Sequence, residues 1–112
     1  MVRAGSSPYG PSKAAIETAT ANWAADLEGS GVTVNALLPG GASDTNMIPS
    51  VDVPDRAMLL PPSVMVAPVV WLTSAASSKW SGYRFVGKDW DPNGDPEDNV
   101  RRAGSLAAWR TA

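Results

Sequence analysis

The 112-residue sequence contains no cysteine and no histidine. The first absence removes disulfide frameworks and thiolate metal sites. The second removes the commonest zinc ligand, the commonest general base and every Ser-His-Asp triad. Charge of one sign is scarce as well: nine Lys and Arg stand against eleven Asp and Glu, for a net charge of −2. No basic surface is therefore expected to hold nucleic acid or an anionic membrane. No apolar run approaches the roughly 20 residues that a membrane-spanning helix needs, and the first residues lack the apolar core of a secretion signal. Together these absences lead to the expectation of a cytoplasmic chain with no metal site, no nucleic-acid partner and no membrane association. Proton chemistry is left to Tyr, Lys, Asp and Glu. The length is that of one modest domain.

What is there begins with a helix-forming stretch. Residues 8 to 28 read as one helix, with Ala14, Ala15, Ala19, Ala21, Ala24 and Ala25 as strong helix formers. Ile16, Thr20, Trp23 and Leu27 recur at helical spacing and are expected to form its apolar stripe. Gly29 and Gly31 supply the stop. Val32 to Leu38 then reads as a short strand, apolar enough to be covered on both faces as in a parallel sheet. It ends at Pro39-Gly40-Gly41. Residues 42 to 60 mix Ser, Asp, Thr, Asn and Pro with Met, Ile and Leu, a long loop of the kind that is functional or disordered. Pro61-Pro62-Ser63 opens a second helix, in which Pro68 removes one backbone hydrogen bond. Gly82 to Gly87 reads as another short strand. From Asp89 onward Asp, Pro, Asn, Gly and Arg dominate, so residues 92–112 are expected to be a polar C-terminal tail, with Ala107, Ala108 and Trp109 able to dock. No internal repeat is apparent. The order helix, strand, loop, helix, strand favours an α/β fold with a right-handed parallel crossover.

Candidate chemistry lies in Ser7-Pro8-Tyr9-Gly10-Pro11-Ser12-Lys13-Ala14-Ala15. On a helix, Tyr9 and Lys13 are neighbours on one face. A phenol with an ordinary pKa near ~10 is a poor acid or base at neutral pH, and an ammonium held beside it favours the phenolate. Such a pair exchanges a proton with an oxygen on a carbon undergoing hydride transfer. By spacing alone the pair is also common on ordinary helices. What distinguishes it here is the ordered series that follows: "VTVNALLPGG", the polar loop, then "VVWLTSAASSKWSGYRFVG".

That series resembles the C-terminal half of a short-chain dehydrogenase/reductase, the nicotinamide-dependent family built on a single Rossmann-like domain. The resemblance runs from about Ser7 to Asp91. Tyr9 and Lys13 match the family's Tyr-x-x-x-Lys, with Ser12 and Ala14 in the flanking places. Val34-Asn35-Ala36 with Pro39-Gly40 matches the end of the sixth strand and the turn that meets the nicotinamide. Leu72-Thr73-Ser74 and Ser81-Gly82 match the approach to the seventh strand. The resemblance implies the C-terminal part of a doubly wound parallel sheet, spanning residues 1–91. It implies NAD or NADP as cofactor and a small alcohol or carbonyl compound as substrate. Tyr9 would be the acid/base, and Lys13 would lower its pKa and bind the nicotinamide ribose. Pro39, Gly40, Gly41 and Ala42 would shape the turn beside the nicotinamide. Thr45 would reach the cofactor, although it lies one position later than the commonest pattern, with Asp44 in the usual place. Residues 42–60 would be the substrate-covering loop.

Three features of the family pattern are absent from these 112 residues: the glycine-rich phosphate-binding turn, the catalytic serine and the upstream asparagine. Gly40-Gly41 does not replace the first, because it leads into a polar loop instead of a helix. The expectation is a chain that lacks the dinucleotide-binding half and is by itself inactive, whether through truncation, a split gene or a misassigned start. It would pair with copies of itself or with a complementing N-terminal half. The competing reading is a non-enzymatic remnant acting as an oligomerisation or binding module, with Trp71, Trp80 and Trp90 either as interface anchors or as ordinary core. The apolar residues Met47, Ile48, Met58, Leu59 and Leu60 either line a pocket or pack the loop down.

Overall fold

The structure, a computed structural model, describes residues 4–49, 52, 53 and 55–111. Helix α1 spans Tyr9–Asp26, strand β1 Ala36–Leu38, helix α2 Val66–Leu72, strand β2 Tyr83–Val86, helix α3 Pro96–Ala103 and strand β3 Gly104–Leu106. The strands form one sheet in the order β1-β2-β3. The Gly82 N–H donates to the Val34 carbonyl and the Lys88 N–H to the Pro39 carbonyl, so the β1 and β2 segments advance together and are parallel. At the other edge the residue before β2 pairs with the residue after β3, through Ala107 N–H to Gly82 carbonyl at 2.9 Å, which makes that pair antiparallel. The α/β class expected from the sequence holds. The purely parallel sheet does not: the sheet is mixed, because α3 leads directly into β3 and the chain comes back along β2 in the opposite sense.

The chain divides into two compact units. One comprises Met1–Ala36, Ser78–Arg84 and Ser105–Ala112; the other comprises Leu37–Ser77 and Phe85–Gly104.

The first unit is organised by α1. Pro11 sits in the helix's first turn, where the missing N–H is not needed, and alanine carries the rest. The buried residues are Glu17, Thr20 and Ala21. Of the expected stripe Thr20 is buried, whereas Ile16, Trp23 and Leu27 are exposed, with Trp23 at 58%. The helix turns its Glu17 and Ala21 side inward instead, because Glu17 finds two partners there, Arg84 and the backbone of Ala108. Strand β1 is also shorter than the expected Val32–Leu38. Polar side chains take over its ladder at the N-terminal end: Ser81 Oγ accepts from the Val34 N–H at 3.1 Å, Asn35 Oδ1 accepts from the Tyr83 N–H at 3.1 Å and Asn35 Nδ2 donates to the Trp80 carbonyl at 2.9 Å. Trp80 packs edge-on against Tyr83 with ring centroids 5.3 Å apart.

The second unit has an aromatic core. Phe85 is fully buried; Trp71 lies 5.9 Å and Trp90 6.2 Å from it, and the two indoles are 5.1 Å apart. For Trp71 and Trp90, packing inside their own unit is thus what the structure displays. The helix expected from Pro61 onward begins as a 3₁₀ turn, Pro62–Met65, and becomes α-helical as α2, with Pro68 buried in its first turn. Within residues 92–112, expected as a polar tail, Pro96–Ala103 forms α3, Gly104–Leu106 forms β3 and Ala107–Trp109 a closing turn. The acidic and prolyl residues that suggested a tail are a helix start: the Asp95 carboxylate accepts from the N–H groups of Glu97 and Asp98, and Pro96 occupies the first helical position. Glu97 and Asp98 lie in the first turn of α3 and Arg101 and Arg102 in the last, which complements the helix dipole. Asn99, 1% exposed, pins the preceding turn by accepting from the Asp91 N–H and donating to the Asp91 carbonyl, each at 2.8 Å.

Candidate functional site

Tyr9 and Lys13 occupy the first and second turns of α1. The Lys13 ammonium stands 5.5 Å from the centroid of the Tyr9 ring, a cation–π arrangement worth about 0.5–1 kcal/mol at an exposed position. Tyr9 is 52% exposed and Lys13 is exposed too, so both reach solvent. Ser12 Oγ donates to the Tyr9 carbonyl at 2.7 Å, which fastens the first turn. One turn beyond Lys13, the buried Glu17 carboxylate accepts from Arg84 Nε at 2.8 Å through one oxygen and from the Ala108 N–H at 3.0 Å through the other. Residue type alone does not single out Glu17, although the spacing Tyr9, Lys13, Glu17 is visible in the sequence; what marks it is burial, supplied by residues far along the chain.

The remaining expected residues, Pro39, Gly40, Gly41, Ala42 and Thr45, belong to the second unit. The Pro39 carbonyl accepts from the Lys88 N–H at 3.0 Å. Gly40 has φ +94°, and a Cβ there would lie 2.5 Å from Val86 Cγ1, so the turn requires glycine on two counts. The loop that follows is tied at its ends. Ser43 and Leu60 form a parallel bridge, the Leu60 N–H donates to the Ala42 carbonyl and the Asp44 N–H to the Leu60 carbonyl. Arg56 gathers the middle: Nε donates to Asp44 Oδ1 at 2.7 Å, Nη1 to the Ile48 carbonyl at 2.9 Å and Nη2 to the Thr45 carbonyl at 3.1 Å. Asp44, Thr45, Asn46, Ile48, Pro49 and Arg56 surround an open cavity of about 500 Å³. Its walls are mainly polar; of the expected apolar wall only Ile48 contributes, while Met47 and Met58 are exposed. The sequence gives no sign of the role of Arg56, since its bonds to carbonyls leave no trace in residue type.

Among the described residues no group of three or more His, Cys, Asp or Glu is placed to hold a metal ion, and no helix is long and apolar enough to cross a membrane. The exposed Tyr–Lys pair on α1 is followed along the chain by the apolar strand β1 and the Pro39-Gly40-Gly41 turn. The family model described as short chain dehydrogenase matches residues 1–54, so this segment of the chain is similar to that family. The match takes in Tyr9, Lys13 and the whole of Pro39 to Thr45; the resemblance read at Leu72-Thr73-Ser74 and Ser81-Gly82 lies beyond it. No curated protein and no solved structure matches the chain.

Proposed function

We propose that this chain supplies the acid–base and nicotinamide-facing part of an NAD- or NADP-dependent oxidoreductase acting on a small alcohol or carbonyl compound. The observation that carries the reading is the Lys13 ammonium 5.5 Å from the Tyr9 ring inside the segment that matches the short chain dehydrogenase model. A bound nicotinamide cofactor would supply the hydride acceptor or donor. Tyr9 Oη gives the proton to, or takes it from, the substrate oxygen, with the Lys13 ammonium held beside the ring. The three N–H bonds of Lys13 also suit ribose hydroxyls.

The residues present fit one half of the dinucleotide. Lys13, exposed near the start of α1, offers an ammonium that suits the hydroxyls of a nicotinamide ribose. For the diphosphate, these 112 residues contain no glycine-rich turn running into a helix N-terminus. The expected behaviour follows. Nicotinamide mononucleotide receives saturation transfer from the chain in an NMR experiment, and Lys13→Met removes it. Calorimetry with NAD(H) or NADP(H) detects no micromolar affinity for the chain by itself. Equal transfer to the mononucleotide from the Lys13→Met variant would exclude lysine from the site. In an assembly that also contains a phosphate-binding turn, Tyr9→Phe abolishes turnover with little change in cofactor affinity; retained turnover removes Tyr9 from the mechanism.

A further inference from the structure

Glu17 is an anomaly in this 18-residue helix. It is charged, only 8% exposed, and its two oxygens leave the helix in two directions, to Arg84 on β2 and to the Ala108 N–H in the closing turn. Ala108 and Trp109 both adopt left-handed backbone, at φ 58° and 54°, a conformation that costs a non-glycine residue energy unless its surroundings impose it. The carboxylate is part of what imposes it. At 100° per residue, Tyr9 and Glu17 are about 80° apart around the helix, with Lys13 midway. A group that fixes where Glu17 points therefore fixes where the Tyr9–Lys13 pair points.

We propose that Glu17 is a positioning residue, whose buried carboxylate sets the roll of α1 against β2 and the closing turn and so aims Tyr9 and Lys13. The inference rests on the reading of that pair given above. Removing the carboxylate frees the Ala108 amide, leaves Arg84 without this partner and lets the helix roll. The consequence extends beyond the contact itself. Ala24, seven residues further along α1, packs where a Cβ on Gly82 would sit 3.3 Å from the Ala24 methyl, and that packing loosens with the roll.

Amide hydrogen exchange and NOE spectra of the full chain test this with Glu17→Ala and with the isosteric Glu17→Gln. In Glu17→Ala the Ala108 amide exchanges about tenfold or more faster, and the NOE between the Ala24 methyl and the Gly82 Hα weakens. In Glu17→Gln, which keeps an acceptor for Ala108 but not the charge facing Arg84, both effects are smaller. Unchanged Ala108 exchange in Glu17→Ala overturns the proposal. Faster exchange with an intact Ala24–Gly82 NOE overturns it as well, because Glu17 is then only a local fastening. Should both variants unfold, Arg84→Met, which removes the other half of the pair, must weaken the Ala24–Gly82 NOE, and an unchanged NOE counts against the proposal. These readouts need no cofactor: failure of wild-type protein to bind nicotinamide mononucleotide strikes the reading of Tyr9 and Lys13, whereas exchange and NOE decide the role of Glu17.

Discussion

Replacing Gly40 by alanine tests whether the turn after β1 is built around a missing side chain. Two costs add. At φ +94° an L-residue is outside its favoured regions, at roughly 1–2 kcal/mol. The new methyl would also lie 2.5 Å from Val86 Cγ1 and 2.8 and 2.9 Å from Lys88 Cγ and Cδ. The lysine stem can swing aside, but Val86 is β-branched, stiff at χ1 and held in β2, so overpacking adds about 1–3 kcal/mol. The sum is roughly 2–5 kcal/mol, a large part of what a small domain has. Gly41 is the control. It lacks the positive φ, and a Cβ there meets Leu60 Cδ1 at 3.1 Å, the end of a flexible side chain. The lower entropy of an unfolded alanine offsets that contact by about 0.4–1 kcal/mol, so Gly41→Ala is expected within about 0.5 kcal/mol of wild type. Urea unfolding followed by tryptophan fluorescence reads both, since Trp71 and Trp90 lie in the same unit. With m near 1–3 kcal/mol/M, Gly40→Ala lowers the midpoint by on the order of 1–3 M. A Gly40→Ala midpoint equal to wild type, or an equal loss in Gly41→Ala, would refute the reasoning.

Two further substitutions probe side chains that stand in for backbone. Asn35→Ala strips partners from the Tyr83 N–H and the Trp80 carbonyl and should cost about 2–4 kcal/mol in a thermal melt; a loss below ~0.5 kcal/mol means that other groups or water replace the amide. Asn99→Ala unpins the N–H and carbonyl of Asp91 and one bond from Arg102. A similar loss is expected, with the Asp91 amide becoming the first in its unit to exchange freely; continued protection of that amide speaks against the role.

The parts of the fold legible in the sequence are those governed by local rules. Alanine content and Pro11 near the start announce α1, and Gly82 and Gly87 bracket β2. The parts that are not legible depend on partners distant in sequence. The apolar spacing of Ile16, Trp23 and Leu27 points to one face of α1, yet the helix buries the neighbouring face because Glu17 meets Arg84 there. The run Asp89 to Asn99 reads as a tail by composition, yet Asp95-Pro96 is a cap and Asn99 is a buried staple. Composition counts polar residues but does not say whether their bonds go to water or back to the chain.

The same division runs through the candidate site. A Tyr–Lys pair four residues apart needs nothing but a helix to be assembled, so its placement is local, and Lys13 stands over the Tyr9 ring as that spacing demands. Glu17 continues the same spacing by one more turn, and local rules would leave it a solvated acid. Its burial is decided by Arg84, 67 residues away, and by the Ala108 amide, 91 residues away. A buried carboxylate is costly unless both oxygens are matched, and here both are, one by a guanidinium and one by a backbone amide held in a left-handed turn. Candidate residues set by a single helix turn, such as Tyr9 and Lys13, are therefore readable from short spacing. Those that hold them in place are readable only once the chain has closed around them, and in this unit the closing residues come from its last turn.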